Sequence, residues 1–201
     1  TELGIHVLLV NPEDQALSNE MRDLVAVVMN CQEKAQQLAD FVAEQEAFLA
    51  EATADSDRPS VYLAGNSSYL STAGSKMYQN SLITMAGGEN VAAEIEDTYW
   101  AEVDYEQLLA WNPEYIIVAA EADYTVEDVL NDPNLAELQA VKENKVYQMP
   151  NNAEAWDSPV PGGILGAVWL SSILCENVTG ETANSIIGEF YETFYGFTYE
   201  T

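Results

Sequence analysis

The chain has 201 residues, with 34 acidic side chains against 6 basic ones and a formal net charge of -28. Its hydrophobic fraction of 48% and aromatic fraction of 10% exclude a disordered acidic tail. The negative charge disfavours nucleic acid and anionic lipid surfaces as partners, because both carry charge of the same sign. The length suits one α/β domain, or one lobe of a larger protein, with enough chain to bury a core.

The first fifty residues predict one strand followed by two helices. Residues 5–10 are a continuous apolar run that ends at Asn-Pro, which is typical of a buried strand. Ser18 is a candidate N-cap for a helix over 19–29, and the next helix is expected over 32–54. At 1.5 Å per residue this second helix would reach roughly 33 Å, which suits a strut between two structural units.

After a polar linker at 55–60, predicted strands and helices alternate to the end of the chain. The strands are predicted at 61–65, 91–95, 115–120 and 145–149, and the helices at 75–86, 105–111, 126–131, 134–141, 164–176 and 181–194. Alternation of this kind indicates α/β architecture with a largely parallel sheet. The predicted fold is therefore a three-layer α/β lobe with a largely parallel central sheet, preceded by a long connecting helix.

The sequence offers little for catalysis. His6 is the only histidine and lies within the first predicted strand, and no nucleophile elbow or glycine-rich phosphate loop is present. The carboxylate runs are typical of a solvated face, so neither a metal site nor a cofactor is predicted. Cys31 and Cys175 lie in apolar helical patterns and are interpreted as unpaired thiols. We therefore predict that the chain is not an enzyme.

Three loops that follow predicted strands carry polar or aromatic side chains suited to ligand binding. In open α/β sheets, ligands bind beyond the carboxyl ends of the strands, and loop aromatics can stack on a planar ligand. The alternative is that Trp100 and Trp156 only cover the edge of the sheet. The candidate ligand-binding residues are Tyr69, Ser71, Tyr99, Trp100, Trp156 and Ser158.

Several segments, taken in order, resemble one known family. They are STAG…YQNSLITMAGGENVA at 71–92, VDYEQLLAWNPEYIIV at 103–118, the WDSP loop at 156–159, the helix bearing Trp169 and the ending FYETFYGF at 190–197. The opening LGIHVLLVNPE at 3–13 also fits. Together they resemble the substrate-binding proteins of bacterial ABC importers for iron-siderophores, haem and cobalamin, whose two lobes are joined by one rigid helix.

This resemblance implies a domain organisation. Residues 1–31 would supply a strand and short helix from the end of an N-terminal lobe, 32–55 the connecting helix, and 60–201 the C-terminal ligand-binding lobe. The rest of the N-terminal lobe is expected to be absent from the chain. The departure from the family pattern is Cys175-Glu176, where many members carry a Tyr/His-Pro-Glu sequence.

The resemblance also implies a role outside the cytoplasm, in the periplasm or as a lipoprotein on the cell surface. The ligand would be an iron-siderophore, haem or a corrinoid, and the protein partner the permease subunits of the importer. Family members present a glutamate to arginines of the permease, and the matching residue here is Glu106, with Glu102 as its neighbour.

Three alternatives remain open from the sequence. Some relatives bind an oxyanion or a bare metal ion, although His6 is the only imidazole and lies outside the three loops. An interaction module without a transport role would dimerise through an apolar patch. An enzyme built on paired carboxylates is the third and least favoured alternative.

Overall fold

The computed structural model describes residues 7–10, 12 and 15–200, and its first two elements are helices that contact each other. Helix α1 spans Gln15–Met29 and α2 spans Gln32–Ala52. Asn30 between them has φ of 53°, a left-handed conformation that asparagine tolerates at a helix end. Helix α1 begins before Ser18, so the prediction that Ser18 caps this helix is wrong. The long second helix is confirmed.

The predicted N-terminal strand is not observed in the part of it that the structure describes. Residues 7–10 have no regular secondary structure, and Leu9 is 94% exposed. No strand among the described residues pairs with them, and an unpaired apolar segment cannot form a ladder. His6 and the first residues of the predicted strand lie outside the described residues.

In the part of the chain that the structure describes, six strands form two sheets. They are β1 (Ser60–Ala64), β2 (Ser71–Ala73), β3 (Glu89–Asn90), β4 (Trp100–Glu102), β5 (Tyr115–Val118) and β6 (Val146–Gln148). The central sheet has the order β3-β1-β5-β6 with every neighbour parallel. Strands β2 and β4 form a separate antiparallel pair, with Ser71 opposite Glu102.

Helices cover both faces of the central sheet. They are α3 (Tyr78–Met85), α4 (Tyr105–Trp111), α5 (Val126–Leu130), α6 (Gln139–Lys142), α7 (Ile164–Leu174) and α8 (Gly180–Tyr195). Side chains on successive residues of a strand point to opposite faces. Leu63 of β1 accordingly packs in the core beneath α2, α3, α7 and α8, whereas Tyr62 packs in the core beneath α4 and α5. The predicted three-layer α/β lobe is confirmed.

The strand predicted at 91–95 is displaced in the structure. Pairing with β1 occurs at Glu89–Asn90, and the chain turns immediately afterwards. The Asn90 side chain accepts a hydrogen bond from Ala92 N (3.0 Å) and donates one to Ala73 O (3.0 Å). A side chain that binds the backbone two residues ahead favours a turn over continued strand, which explains the difference.

The two cysteines remain free thiols, as expected. Cys31 precedes α2 and is half-buried, whereas Cys175 follows α7 and is buried. Within the described residues, no helix combines the length and the apolarity that a membrane span requires.

Candidate functional site

Loops that leave the carboxyl ends of β1, β5 and β6 meet at one edge of the sheet, as parallel pairing requires. We call this region, together with the start of β4, the strand-end surface (residues 65–70, 99–100, 119–124 and 149–158). Main-chain bonds connect the first two loops, since Asp123 N donates to Asn66 O (2.8 Å). Asn151 Nδ2 donates to Ala120 O (2.7 Å) and attaches the third loop.

Tyrosine hydroxyls hold the β1 loop in place. Tyr124 donates to Gly65 O (2.7 Å) and Tyr62 donates to Tyr69 O (2.9 Å). The rings of Tyr69 and Tyr124 meet edge to face with centroids 5.3 Å apart. Desolvation raises the pKa of Tyr62 and of Tyr124, so both hydroxyls stay protonated and act as donors. The loop is therefore preorganised by partly buried hydrogen bonds.

Two of the predicted ligand-binding aromatics are accessible. Tyr99 is 44% exposed and Trp100 is 38% exposed. The Trp100 ring lies directly against Gly65, where a Cβ would come within 2.9 Å of Trp100 Cζ3. The absence of a side chain at Gly65 thus allows the indole to lie over the end of β1 while it remains partly exposed.

Other predicted residues occupy less accessible positions. Ser71 is 5% exposed, and its carbonyl accepts a hydrogen bond from Gly65 N (2.8 Å). Tyr69 is half-buried, with its hydroxyl donated to Asp132 Oδ2 (2.7 Å). Ser158 is half-buried in the loop after β6.

Trp156 does not fit the expected stacking role. It is 2% exposed, and its Nε1 donates to the Tyr191 hydroxyl (2.8 Å). The ring of Tyr199 lies 5.7 Å from its indole, centroid to centroid. A side chain enclosed by α8 and the C-terminal segment has no free face for a ligand, so Trp156 belongs to the core.

The predicted docking glutamates lie beside the strand-end surface. Glu102 ends β4 and Glu106 lies in the first turn of α4, and both are exposed. Neither is among the ion pairs found in the described residues. Asp104 caps α4 by accepting a hydrogen bond from Gln107 N (2.7 Å), which fixes where the helix starts.

Strand β4 connects the two sets of candidates. Trp100 and Glu102 are exposed while Ala101 between them is buried, so both project from the same face of the strand. Two residues of strand span about 7 Å. The exposed indole and the exposed carboxylate are therefore neighbours on one short element.

A separate cavity of about 430 Å³ lies between α1, α2 and the lobe. Apolar side chains from α1, α2, α3, α8 and the segment 159–164 form most of its wall, with Arg22 and Lys34 from the first two helices. The apolar residues include Leu38, Val42, Met85, Val160 and Ile164. Volumes of this size are typical of small-molecule sites, and residues 159–161 join the cavity to the loop after β6.

Metal-binding geometry is not found. Within the described ranges, no group of three or more His, Cys, Asp or Glu side chains is placed to hold an ion.

Comparison with known proteins establishes the family. The family model described as "Periplasmic binding protein" matches residues 1–153. The chain belongs to the periplasmic binding protein family. This match confirms the resemblance that its sequence motifs indicate. The relatives named below are binding proteins.

Individual relatives of this periplasmic binding protein have different ligands in their names. The chain is 30% identical over 196 residues to the molybdate-binding protein MolA of Haemophilus influenzae, covering 94% of this chain and 55% of MolA. It is 30% identical over 177 residues to the vitamin B12-binding protein of Salmonella typhimurium, covering 88% and 63%.

A solved structure shows the same fold along the chain. The periplasmic solute binding protein from Veillonella parvula superposes with a TM-score of 0.84 at 25% identity, covering 99% of this chain and 62% of that one. The chain thus spans between 55% and 63% of the length of these relatives.

Sequence reasoning missed one buried and two half-buried residues that support the site. Tyr124, Asp132 and Tyr105 lie in three different segments and meet only in the folded chain. The sequence shows the two tyrosines but not their acceptors, which are Asp132 Oδ2 for Tyr105 and Gly65 O for Tyr124.

Proposed function

We propose that this chain forms the C-terminal ligand-binding lobe and connecting helix of an extracytoplasmic solute-binding component of an ABC importer. Membership of the periplasmic binding protein family supports that role and that location. The observation that carries the proposal is Trp100, an exposed indole held over the carboxyl end of the central sheet. Aromatic side chains at such an edge bind the planar or apolar part of a ligand.

The proposed ligand is an organic molecule of the iron-siderophore, haem or corrinoid class. Tyr99 and Trp100 would contact its apolar surface, and Ser158 and the loop hydroxyls would bind its polar groups. The exposed aromatic surface of Tyr99 and Trp100 supports this choice, because a bulky organic ligand can stack on it. Tyr69 and Ser71 support the loop and are proposed to act mainly through its main chain.

Replacing Trp100 tests the ligand site. In the full-length protein, Trp100→Ala should raise the dissociation constant of the bound probe by roughly 10-fold or more, because a desolvated aromatic contact is lost. Isothermal titration calorimetry with cyanocobalamin, haem and a ferric hydroxamate identifies the probe and measures the change.

Trp111→Ala is the matched control, because Trp111 lies on α4 and donates to Glu94 Oε1 (3.1 Å) away from the strand-end surface. Equal affinities for wild type and Trp100→Ala would remove Trp100 from the site. Binding of none of the organic probes would contradict the proposed ligand class.

An oxyanion is the second candidate ligand, favoured by the similarity to the molybdate-binding protein over 94% of this chain. An oxyanion needs convergent N–H and O–H donors instead of aromatic surface. Molybdate and tungstate therefore belong in the same titration. Tight binding of molybdate that is unaffected by Trp100→Ala would favour this candidate over the organic ligand.

The proposed partner is the permease of the importer, bound through Glu106 and Glu102. Glu106→Gln keeps the shape and removes the charge, so binding of the full-length protein to its reconstituted importer should weaken at least about 10-fold, as expected for a desolvated Arg–carboxylate pair. Glu127→Gln, an exposed first-turn acid on α5, is the control. Equal weakening by both variants would show a general effect of charge, with no docking contact at Glu106.

A further inference from the structure

Asp132 is a buried carboxylate without a basic partner among the described residues. It is 9% exposed, and the three ion pairs of that part of the chain do not include it. Its Oδ1 accepts hydrogen bonds from Asn134 N (2.8 Å) and Asn134 Nδ2 (2.9 Å). Its Oδ2 accepts from the hydroxyls of Tyr69 (2.7 Å) and Tyr105 (2.9 Å).

Each of these donors matters, because a buried charge with no counter-ion depends on hydrogen bonds for its stability. Burial by itself would raise the pKa of Asp132, but the bonds from Tyr69, Asn134 and Tyr105 together lower it, which keeps the carboxylate ionised near neutral pH. The hydrogen bonds with Tyr105 and Asp132 raise the pKa of Tyr69, so its hydroxyl stays a donor.

The two tyrosine hydroxyls come from two elements with different proposed roles, the ligand-binding loop and the docking helix. Tyr69 belongs to the β1 loop of the strand-end surface, and Tyr105 is the first residue of α4, which carries Glu106. Both bind the same oxygen atom, so the positions of the loop and of the helix start are linked through one acceptor. Asn134 holds the other oxygen and ties the carboxylate to its own turn.

We propose that Asp132 is a positioning residue that fixes the docking helix α4 relative to the ligand-binding loop through Tyr69 and Tyr105. The functional meaning of the two linked surfaces rests on the proposed function, but the link itself is a property of this chain. A carboxylate shared by both elements would keep the ligand contacts and Glu106 in one geometry. In this proposal Asp132 acts only through the two tyrosines that it binds.

Hydrogen exchange tests the link without a ligand or an importer. In Tyr69→Phe, one donor to Asp132 is removed from the loop, and exchange of the amides at 105–109 in α4 should rise at least about tenfold. In Tyr105→Phe, the amides at 68–71 should respond in the same way. Amides of α8 should be unchanged, which separates this effect from global loss of stability.

Tyr124→Phe is the matched control. Its hydroxyl also binds the β1 loop, at Gly65 O, and its ring contacts Tyr69, but it donates to neither Asp132 oxygen. This variant should raise exchange at 65–70 and leave α4 at the wild-type rate. Reciprocal effects from Tyr69→Phe and Tyr105→Phe support the proposal.

Effects confined to the substituted segment, as in the control, would overturn it. Because the exchange experiment uses no ligand and no importer, its result is independent of the titrations that test Trp100 and Glu106. The proposed function can therefore fail while the link is confirmed, and the reverse outcome is equally visible.

Discussion

At the residue scale, neighbouring side chains of the loop after β6 serve the fold. Trp156 is enclosed by Tyr191 and Tyr199, and Asp157 is 5% exposed. Asp157 Oδ2 accepts a hydrogen bond from Ala120 N (2.7 Å), and Gln79 Nε2 donates to Asp157 O (2.8 Å). Asp157 thus ties the end of β5 and the start of α3 to the third loop.

Burial raises the pKa of Asp157 above its ordinary value of 3.8, in spite of the bond from Ala120 N. At pH values between 3.8 and the raised pKa, the folded chain binds more protons than the unfolded chain. The contribution of Asp157 to the free energy of unfolding therefore falls as pH rises. We expect the free energy of unfolding of wild type, relative to Asp157→Asn, to fall through this window and then level off.

Urea unfolding of both proteins between pH 4 and 8 measures this difference. The asparagine can still accept from Ala120 N, so the comparison isolates the charge. Asp123→Asn, which removes an exposed acid from the neighbouring loop, is the control for the loss of one negative charge. A wild-type protein that gains stability relative to Asp157→Asn as pH rises would contradict the assignment.

At the element scale, the short β2–β4 pair carries much of the proposed function. It places Trp100 and Glu102 on one face and is joined to the central sheet where Gly65 N donates to Ser71 O (2.8 Å). The pair is only three residues long, so its position depends on contacts with the β1 loop. We therefore expect the geometry of the proposed ligand site to depend on Gly65.

Gly65→Ala should displace the Trp100 indole. The added Cβ would lie 2.9 Å from Trp100 Cζ3 and 3.0 Å from Ser71 O. The main-chain oxygen of Ser71 cannot move aside without breaking its hydrogen bond from Gly65 N. We expect loss of ligand affinity comparable to that of Trp100→Ala, together with destabilisation of roughly 1–3 kcal/mol from overpacking. Calorimetric titration and urea unfolding measure the two effects.

Gly188→Ala is the control for glycine replacement, because a Cβ at this position in α8 meets no atom within 4 Å. It should raise stability by roughly 0.5–1 kcal/mol through helix propensity and leave ligand affinity unchanged. If Gly65→Ala behaved like Gly188→Ala, the close approach of Trp100 would not govern the site.

At the scale of the whole molecule, charge is the dominant feature. The described residues form three ion pairs, and each lies on the surface, so most of the 34 acidic side chains are balanced by solvent and not by partners. Such pairs contribute little, and like charges repel across the compact surface. The folded state therefore carries an electrostatic cost that counter-ions can reduce.

Stability should rise with salt. Between 0.05 and 1 M NaCl the screening length falls to roughly 3 Å, which suppresses repulsion between exposed carboxylates. We expect the urea midpoint to increase over this range, and to increase less in Glu189→Gln/Glu192→Gln, which changes the net charge from -28 to -26. Unchanged or lower stability at high salt would show that self-repulsion is unimportant here.

The sequence by itself determined the α/β class, the family and most element positions. These properties depend on local patterns: the apolar run of β5, the Asp104 cap of α4 and the glycines after α3 all act within a few residues. Exposed docking candidates such as Glu106 could also be named, because the motif around them is contiguous.

Only the tertiary structure decided which aromatics are accessible and which acids are buried. Trp100 and Trp156 look alike in sequence, yet one is exposed over Gly65 and the other is enclosed by α8. Asp132 binds Tyr105, which lies 27 positions earlier in the chain, and Tyr69, which lies 63 positions earlier. No local pattern could therefore indicate this link. Burial and shared hydrogen bonds depend on which segments meet, and that is settled by packing against the sheet and not by neighbours along the chain.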